Sequence, residues 1–142
     1  MKKYMLAIAV VAVLYVGWGQ VDGTHARRAS TSGDEAVASA FREQRSGVKV
    51  TGAGVITAVL PDDRDGDRHQ RFIVRLSSGQ SLLFAHNIDL APRLTALGPG
   101  DSVAFSGVYE WNARGGLVHW THHDPSGRHQ GGWLRHNGET IQ

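Results

Sequence analysis

The chain has 142 residues, enough for one ordinary domain with a short extension and too few for two full-sized cores. Its 18 glycines, sparse aromatics and repeated β-branched runs argue against an all-helical fold, and the absence of cysteine excludes disulfides, a lipid-modified cysteine anchor and thiolate metal sites. The formal charge of +2 comes from Lys2 and Lys3; without them 13 basic residues face 13 acidic ones, so no net positive field exists to hold a polyanion by counterion release alone.

Residues 1–19 (MKKYMLAIAVVAVLYVGWG) place two lysines before an apolar stretch from Tyr4 to Trp18 and end in small residues, the pattern of a signal peptide. That stretch is shorter than the roughly 20 residues of a spanning helix, which favours cleavage over a permanent anchor. The expected location is periplasmic or secreted, or inner-membrane-anchored if the leader is retained, with the membrane met only through this segment.

Residues 20–46 read as a linker and a short helix. The run QVDGTHARRASTSG is polar and aperiodic, as in a tether. Ser32 and Glu35 then have capping-box spacing, and Val37, Ala40 and Phe41 recur at helical intervals, which predicts a helix over 33–45.

From residue 47 to 142 the pattern is that of strands. VKVTGAGVITAVL (48–60) is β-branched with Gly52 and Gly54 inside, as expected of a long strand that bends or bulges. A charged loop follows over 61–68, whose aspartates lack the ligand spacing of an EF-type calcium site. Phe72, Val74 and Leu76 alternate on one face of the next strand, Ser78 and Gly79 turn the chain, and Leu82, Phe84, His86 and Ile88 share a face of its partner. Asp89 is placed to cap a short helix carrying Leu90, Leu94 and Leu97, ended by Gly98-Pro99-Gly100. Val103, Phe105, Tyr109 and Trp111 alternate in a fourth strand, and Leu117–Thr121 makes a fifth after a turn at 112–116.

This order predicts an all-β domain with short helices: an OB-fold-like five-stranded Greek-key barrel, preceded by the signal segment and a short helix. An SH3-like barrel is the runner-up, in which a helix between strands three and four is less expected. Such barrels bind oligonucleotides, oligosaccharides and proteins and also carry catalytic sites, so the scaffold alone assigns no function.

Seven of the eight histidines lie between His69 and His136, four of them in HWTHHDPSGRH. Imidazole ligates metals, moves protons near neutral pH and donates to anionic oxygens. If the fifth strand ends at Asp124-Pro125, His119, His123, Asp124 and His129 can converge on a divalent cation such as zinc, magnesium or manganese. His69 would then be general acid or base, and Arg128 would bind an anion, giving a metal-dependent phosphodiester hydrolase. No HExxH or GxSxG spacing is present. The alternative is a noncatalytic OB-fold module that binds an oligomer, an envelope ligand or a partner protein; an anionic ligand or nucleic acid fits either reading. Asp124 before Pro125 also suits a plain turn, His86 a hydrogen-bonded core position and His136, before Asn137-Gly138, a surface turn. His122 has no assigned side. Trp111, Trp120 and Trp133 are either stacking platforms or core residues.

The runs RHQRFIVRLSSGQSLLFAHNIDLAPR, GDSVAFSGVYEWN and HWTHHDPSGRHQGGWLRHNG resemble a family of small exported bacterial proteins catalogued as a domain of unknown function. The resemblance spans about residues 48–142. It implies a bacterial origin and export, and it assigns no catalytic residues.

Overall fold

A computed structural model describes the backbone of residues 21–142 and the side chains from Ser32 onward. The expected leader, residues 1–19, lies outside the described residues. A helix and seven strands follow: α1 (Val21–Arg42), β1 (Val48–Asp63), β2 (His69–Leu76), β3 (Ser81–Asn87), β4 (Ser102–Glu110), β5 (Leu117–His119), β6 (Trp133–His136) and β7 (Glu139–Ile141).

All seven strands belong to one sheet in the order β1-β2-β3-β5-β4-β6-β7, and β1 also pairs with β4, which closes β1-β2-β3-β5-β4 into a ring. β3 and β5 run parallel, while the other neighbours in the ring are antiparallel. This is the OB-fold-like Greek-key order that the sequence predicts, although the ring is not a regular barrel because β5 is only three residues long.

The bend in β1 makes closure possible. Its first half pairs with β4 from Val48↔Tyr109 to Val55↔Ser102, and its second half pairs with β2 from Gly54↔Leu76 onward. Gly54 belongs to both ladders, and a Cβ there would overlap the Arg75 carbonyl and the Val74 side chain. A register shift between Ile56 and Ala58 then turns the strand further.

The core follows the predicted alternation. Phe72 stacks on Phe84 at 5.2 Å and Phe84 meets Phe105 edge-on at 4.8 Å, among Val74, Leu82, Val103, Tyr109 and Leu134, all at most 1% exposed. Val37 and Ala40 of α1 are fully buried in the same cluster.

Four expectations need correction. The helix predicted over 33–45 begins at Val21 and ends at Arg42, so most of the supposed tether is helical. Gly23 is the single strong helix breaker in 21–32, and Ala26, Arg27, Arg28 and Ala29 are good helix formers. Gln44, at φ 52°, closes the helix in a Schellman turn with Arg45 N–H on the Ala40 carbonyl.

The predicted helix after Asp89 does not form. Buried side chains take the backbone groups that a helix would use: the Gln70 amide donates to the Leu94 carbonyl and accepts from the Leu94 N–H, both at 3.0 Å. Asn87 Oδ1 accepts from the Asp89 and Leu90 N–H groups, and His86 Nε2 donates to the Pro92 carbonyl.

The fifth strand stops at His119 rather than Thr121, because Trp120 takes a left-handed φ of 54°. A C-terminal hairpin, β6 and β7, also goes unpredicted. Its turn is Asn137-Gly138, both at positive φ, and His136 is buried in β6 rather than exposed in a turn.

Candidate functional site

β5 and β6 lie in succession along the same edge of β4: β5 pairs with residues 108–110 and β6 with residues 103–106. They act as one interrupted strand. The histidine-rich segment, residues 120–132, is the excursion between them, and Gly132 N–H donates to the His122 carbonyl at 2.9 Å across its base. This base is crowded. A Cβ on Gly132 would overlap the Trp120 and Ser106 carbonyls, and one on Gly107 would overlap the His119 carbonyl. Both glycines permit a close approach of backbone that no other residue allows.

Where β5 breaks off, a cleft of about 220 Å³ opens against β2 and β3, lined by Asp67, His69, Asn87, His119, Trp120 and His122, with Leu90 and Ala85 beside them. The register explains this grouping. His69 pairs with Asn87 and Arg71 with Ala85 on the outer face of β2 and β3, while Leu83 stands beside Leu117 of β5. His69 thus reaches the rim from the first hairpin, and His119, Trp120 and His122 reach it from the interrupted strand.

Each of the three cleft imidazoles has one nitrogen committed. His69 Nδ1 donates to the Asp67 carbonyl at 2.8 Å, and His122 Nδ1 to the His123 carbonyl at 2.8 Å. His119 Nε2 meets Glu110 Oε1 at 3.2 Å. A carbonyl only accepts, so Nδ1 carries the proton in His69 and His122. Trp120 sits among imidazoles, 5.4 Å from the ring of His122, 4.9 Å from His129 and 6.4 Å from His119. Its positive φ stores strain of about 1–3 kcal/mol, a cost that residues of this bulk bear where surrounding contacts hold them in place.

The four residues predicted as metal ligands are not brought together. Asp124 is a turn residue whose carboxylate accepts from the Ser126 N–H and hydroxyl and from the His129 N–H at 2.7 Å. The Ser126 hydroxyl above all, joined by the backbone N–H donors and opposed by burial, brings its pKa down to about 2. His119 is held by Glu110, His123 is exposed, and His129 lies over Trp120. Among the described residues no three of His, Asp and Glu stand in an arrangement that could hold a metal ion. Arg128 is exposed on the excursion, while His69, its predicted catalytic companion, lies in the cleft.

Two further histidines, His86 and His136, are held by hydrogen bonds within the fold. His86 is fully buried; its Nε2 is on the Pro92 carbonyl and its Nδ1 accepts from the Thr121 hydroxyl at 2.8 Å. Burial lowers its pKa, and the bond to Pro92 offsets this only in part. His136 Nε2 meets Asp101 Oδ2 at 2.8 Å, a contact that depresses the Asp101 pKa. Trp111 packs partly buried against the core, and Trp133 carries the Arg135 guanidinium 5.2 Å over its ring, so only Trp120 of the three candidate platforms lines the cleft. Asp67 and Asn87 carry no motif; only the pairing of His69 with Asn87 reveals them.

Farther along the same outer face lies a second depression of about 170 Å³, with Leu60, Ile73 and Leu83 as its floor and Asn112 and Arg114 at its rim. At about 3.3 Å per residue, Ile73 lies about 13 Å along β2 from His69.

No curated protein matches the chain. A family model described as a protein of unknown function, DUF3465, matches residues 21–142, which takes in α1 together with the whole sheet. The chain belongs to that family.

Proposed function

We propose that the protein is a binding module that holds an oligomeric ligand across the outer face of β2, β3 and β5. One observation carries this reading: strand register and the break at Trp120 gather His69, His119, Trp120 and His122 into a single cleft, although they come from separate parts of the sequence. The second depression on the same face, about 13 Å away, supplies a further contact suited to an extended ligand rather than a lone small molecule. Lys2 and Lys3 apart, the chain's charges balance, which disfavours an affinity that rests on phosphate contacts alone.

The test is amide NMR of the purified chain against oligosaccharides, oligonucleotides and short peptides. The expected ligand shifts His69, Asn87, His119, Trp120 and His122, and Trp120→Ala abolishes the response. A ligand whose shifts all fall elsewhere, on α1 or the β6–β7 hairpin, would overturn the reading.

A metal-dependent phosphodiester hydrolase is the second reading. Its support is the meeting of Asp67 with three imidazoles in one cleft, although no three of the described side chains are placed to hold the zinc, magnesium or manganese that it calls for. His69 would be its acid or base and Arg128 its anion contact. It requires metal-stimulated cleavage of a phosphodiester that is lost in His69→Ala.

A further inference from the structure

The chemistry of the cleft narrows the ligand further, on the footing that the binding-module reading holds. A neutral imidazole has one N–H and one lone pair. With the Nδ1 protons of His69 and His122 on backbone carbonyls, their remaining groups are Nε2 lone pairs. With Nε2 of His119 donating to Glu110, its remaining group is the Nδ1 lone pair. None of these three nitrogens has a hydrogen-bond partner among the described residues. The Asp67 carboxylate adds acceptors: Asn87 Nδ2 donates to one oxygen at 3.1 Å, and the Asn87 amide is fixed in that orientation because its Oδ1 accepts from two backbone N–H groups. The polar side of the cleft is therefore built chiefly of acceptors, which repel an oxyanion and complement hydroxyl or amine donors. Its other side is apolar, made of Trp120, Ala85 and the half-exposed Leu90.

A metal ion also seeks lone pairs, but it needs three or more ligands meeting at about 2.0–2.2 Å from one point, which the described residues do not offer. Ring hydroxyls are spaced apart, and each reaches its own acceptor at an ordinary hydrogen-bond length. From this geometry we infer that the cleft takes a neutral, hydroxyl-rich ring, a sugar unit of an oligosaccharide, whose hydroxyls donate to His69, His119 and His122 and whose apolar face lies against Trp120 and Leu90.

Amide NMR of the purified chain with neutral glucose and N-acetylglucosamine oligosaccharides of three to six units tests this, with inorganic phosphate, a single-stranded oligonucleotide and zinc as parallel probes. Neutral oligosaccharides should shift His69, Asn87, His119, Trp120 and His122. His69→Lys, which offers only donors, should weaken affinity at least about tenfold, and more than His69→Gln, which keeps an acceptor. If phosphate or the oligonucleotide shifts the cleft and no neutral sugar does at millimolar concentration, the acceptor argument falls and the binding module stands. If zinc binds stoichiometrically at these residues and supports phosphodiester cleavage, both fall.

Discussion

His86→Leu tests the buried polar joint on which the cleft rests. His86 ties β3 to the Pro92 carbonyl on one side and to the Thr121 hydroxyl on the other, and both His86 and Thr121 are fully buried. Leucine of similar bulk removes two hydrogen bonds worth about 1 kcal/mol each and leaves the Thr121 hydroxyl without its partner, so the expected loss is about 2–4 kcal/mol. Thr121→Val alone strands the His86 Nδ1 lone pair at about 1–3 kcal/mol. The double variant leaves neither group stranded and should cost about 1–2 kcal/mol less than the two single losses together. The joint also sets a pH dependence. Burial holds the folded pKa of His86 below its ordinary 6.5, so the unfolded chain takes up the proton first and stability falls as pH drops below that value. Stability should therefore fall between about pH 7.5 and 5.5, a fall that His86→Leu should abolish. Urea unfolding of the four proteins at both pH values measures each term. Strict additivity of the two single losses, or an unchanged pH dependence in His86→Leu, would refute the joint.

Gly132→Ala forces a Cβ into the Trp120 and Ser106 carbonyls and should cost about 2–4 kcal/mol in urea unfolding, with Trp120 fluorescence altered as the base of the excursion opens. Gln44→Gly relieves a left-handed residue at the end of α1 and should gain about 0.5–1 kcal/mol, read as a higher melting temperature. Asp124→Ala removes the acceptor for the Ser126 and His129 amides, which should lose hydrogen-exchange protection. In the native chain the low pKa of Asp124 makes its contribution complete above about pH 4 and lost as pH falls through about 2.

The strands that carry the core were legible because each buries one face. Phe72, Val74 and Leu76 against Leu82, Phe84 and His86 give the register of the first hairpin directly from alternation. The bend in β1 was legible in Gly52 and Gly54. The break at Trp120 was not, because His119, Thr121 and His123 continue the alternation of a strand, and only the crowding at Gly107 and Gly132 shows that the backbone leaves it. That single residue decides the site. With the strand broken there, Thr121 turns inward to His86, Trp120 and His122 reach the cleft, and Asp124 closes a turn of its own. The segment after Asp89 has helical spacing, yet Gln70 and His86, distant in sequence, capture its backbone groups. The C-terminal hairpin had its signal in Asn137-Gly138, but β6 and β7 are so short that alternation adds little to it.

The proposed ligand site turns on three oriented imidazole lone pairs in the cleft rather than on an enclosed metal. Nitrogen-15 NMR of the imidazole rings at about pH 8, with and without equimolar zinc, tests it most directly. Nδ1-protonated rings are expected at His69 and His122 and an Nε2-protonated ring at His119, all unchanged by zinc. Tautomers of the opposite kind, or zinc-induced shifts at all three rings together, would contradict it.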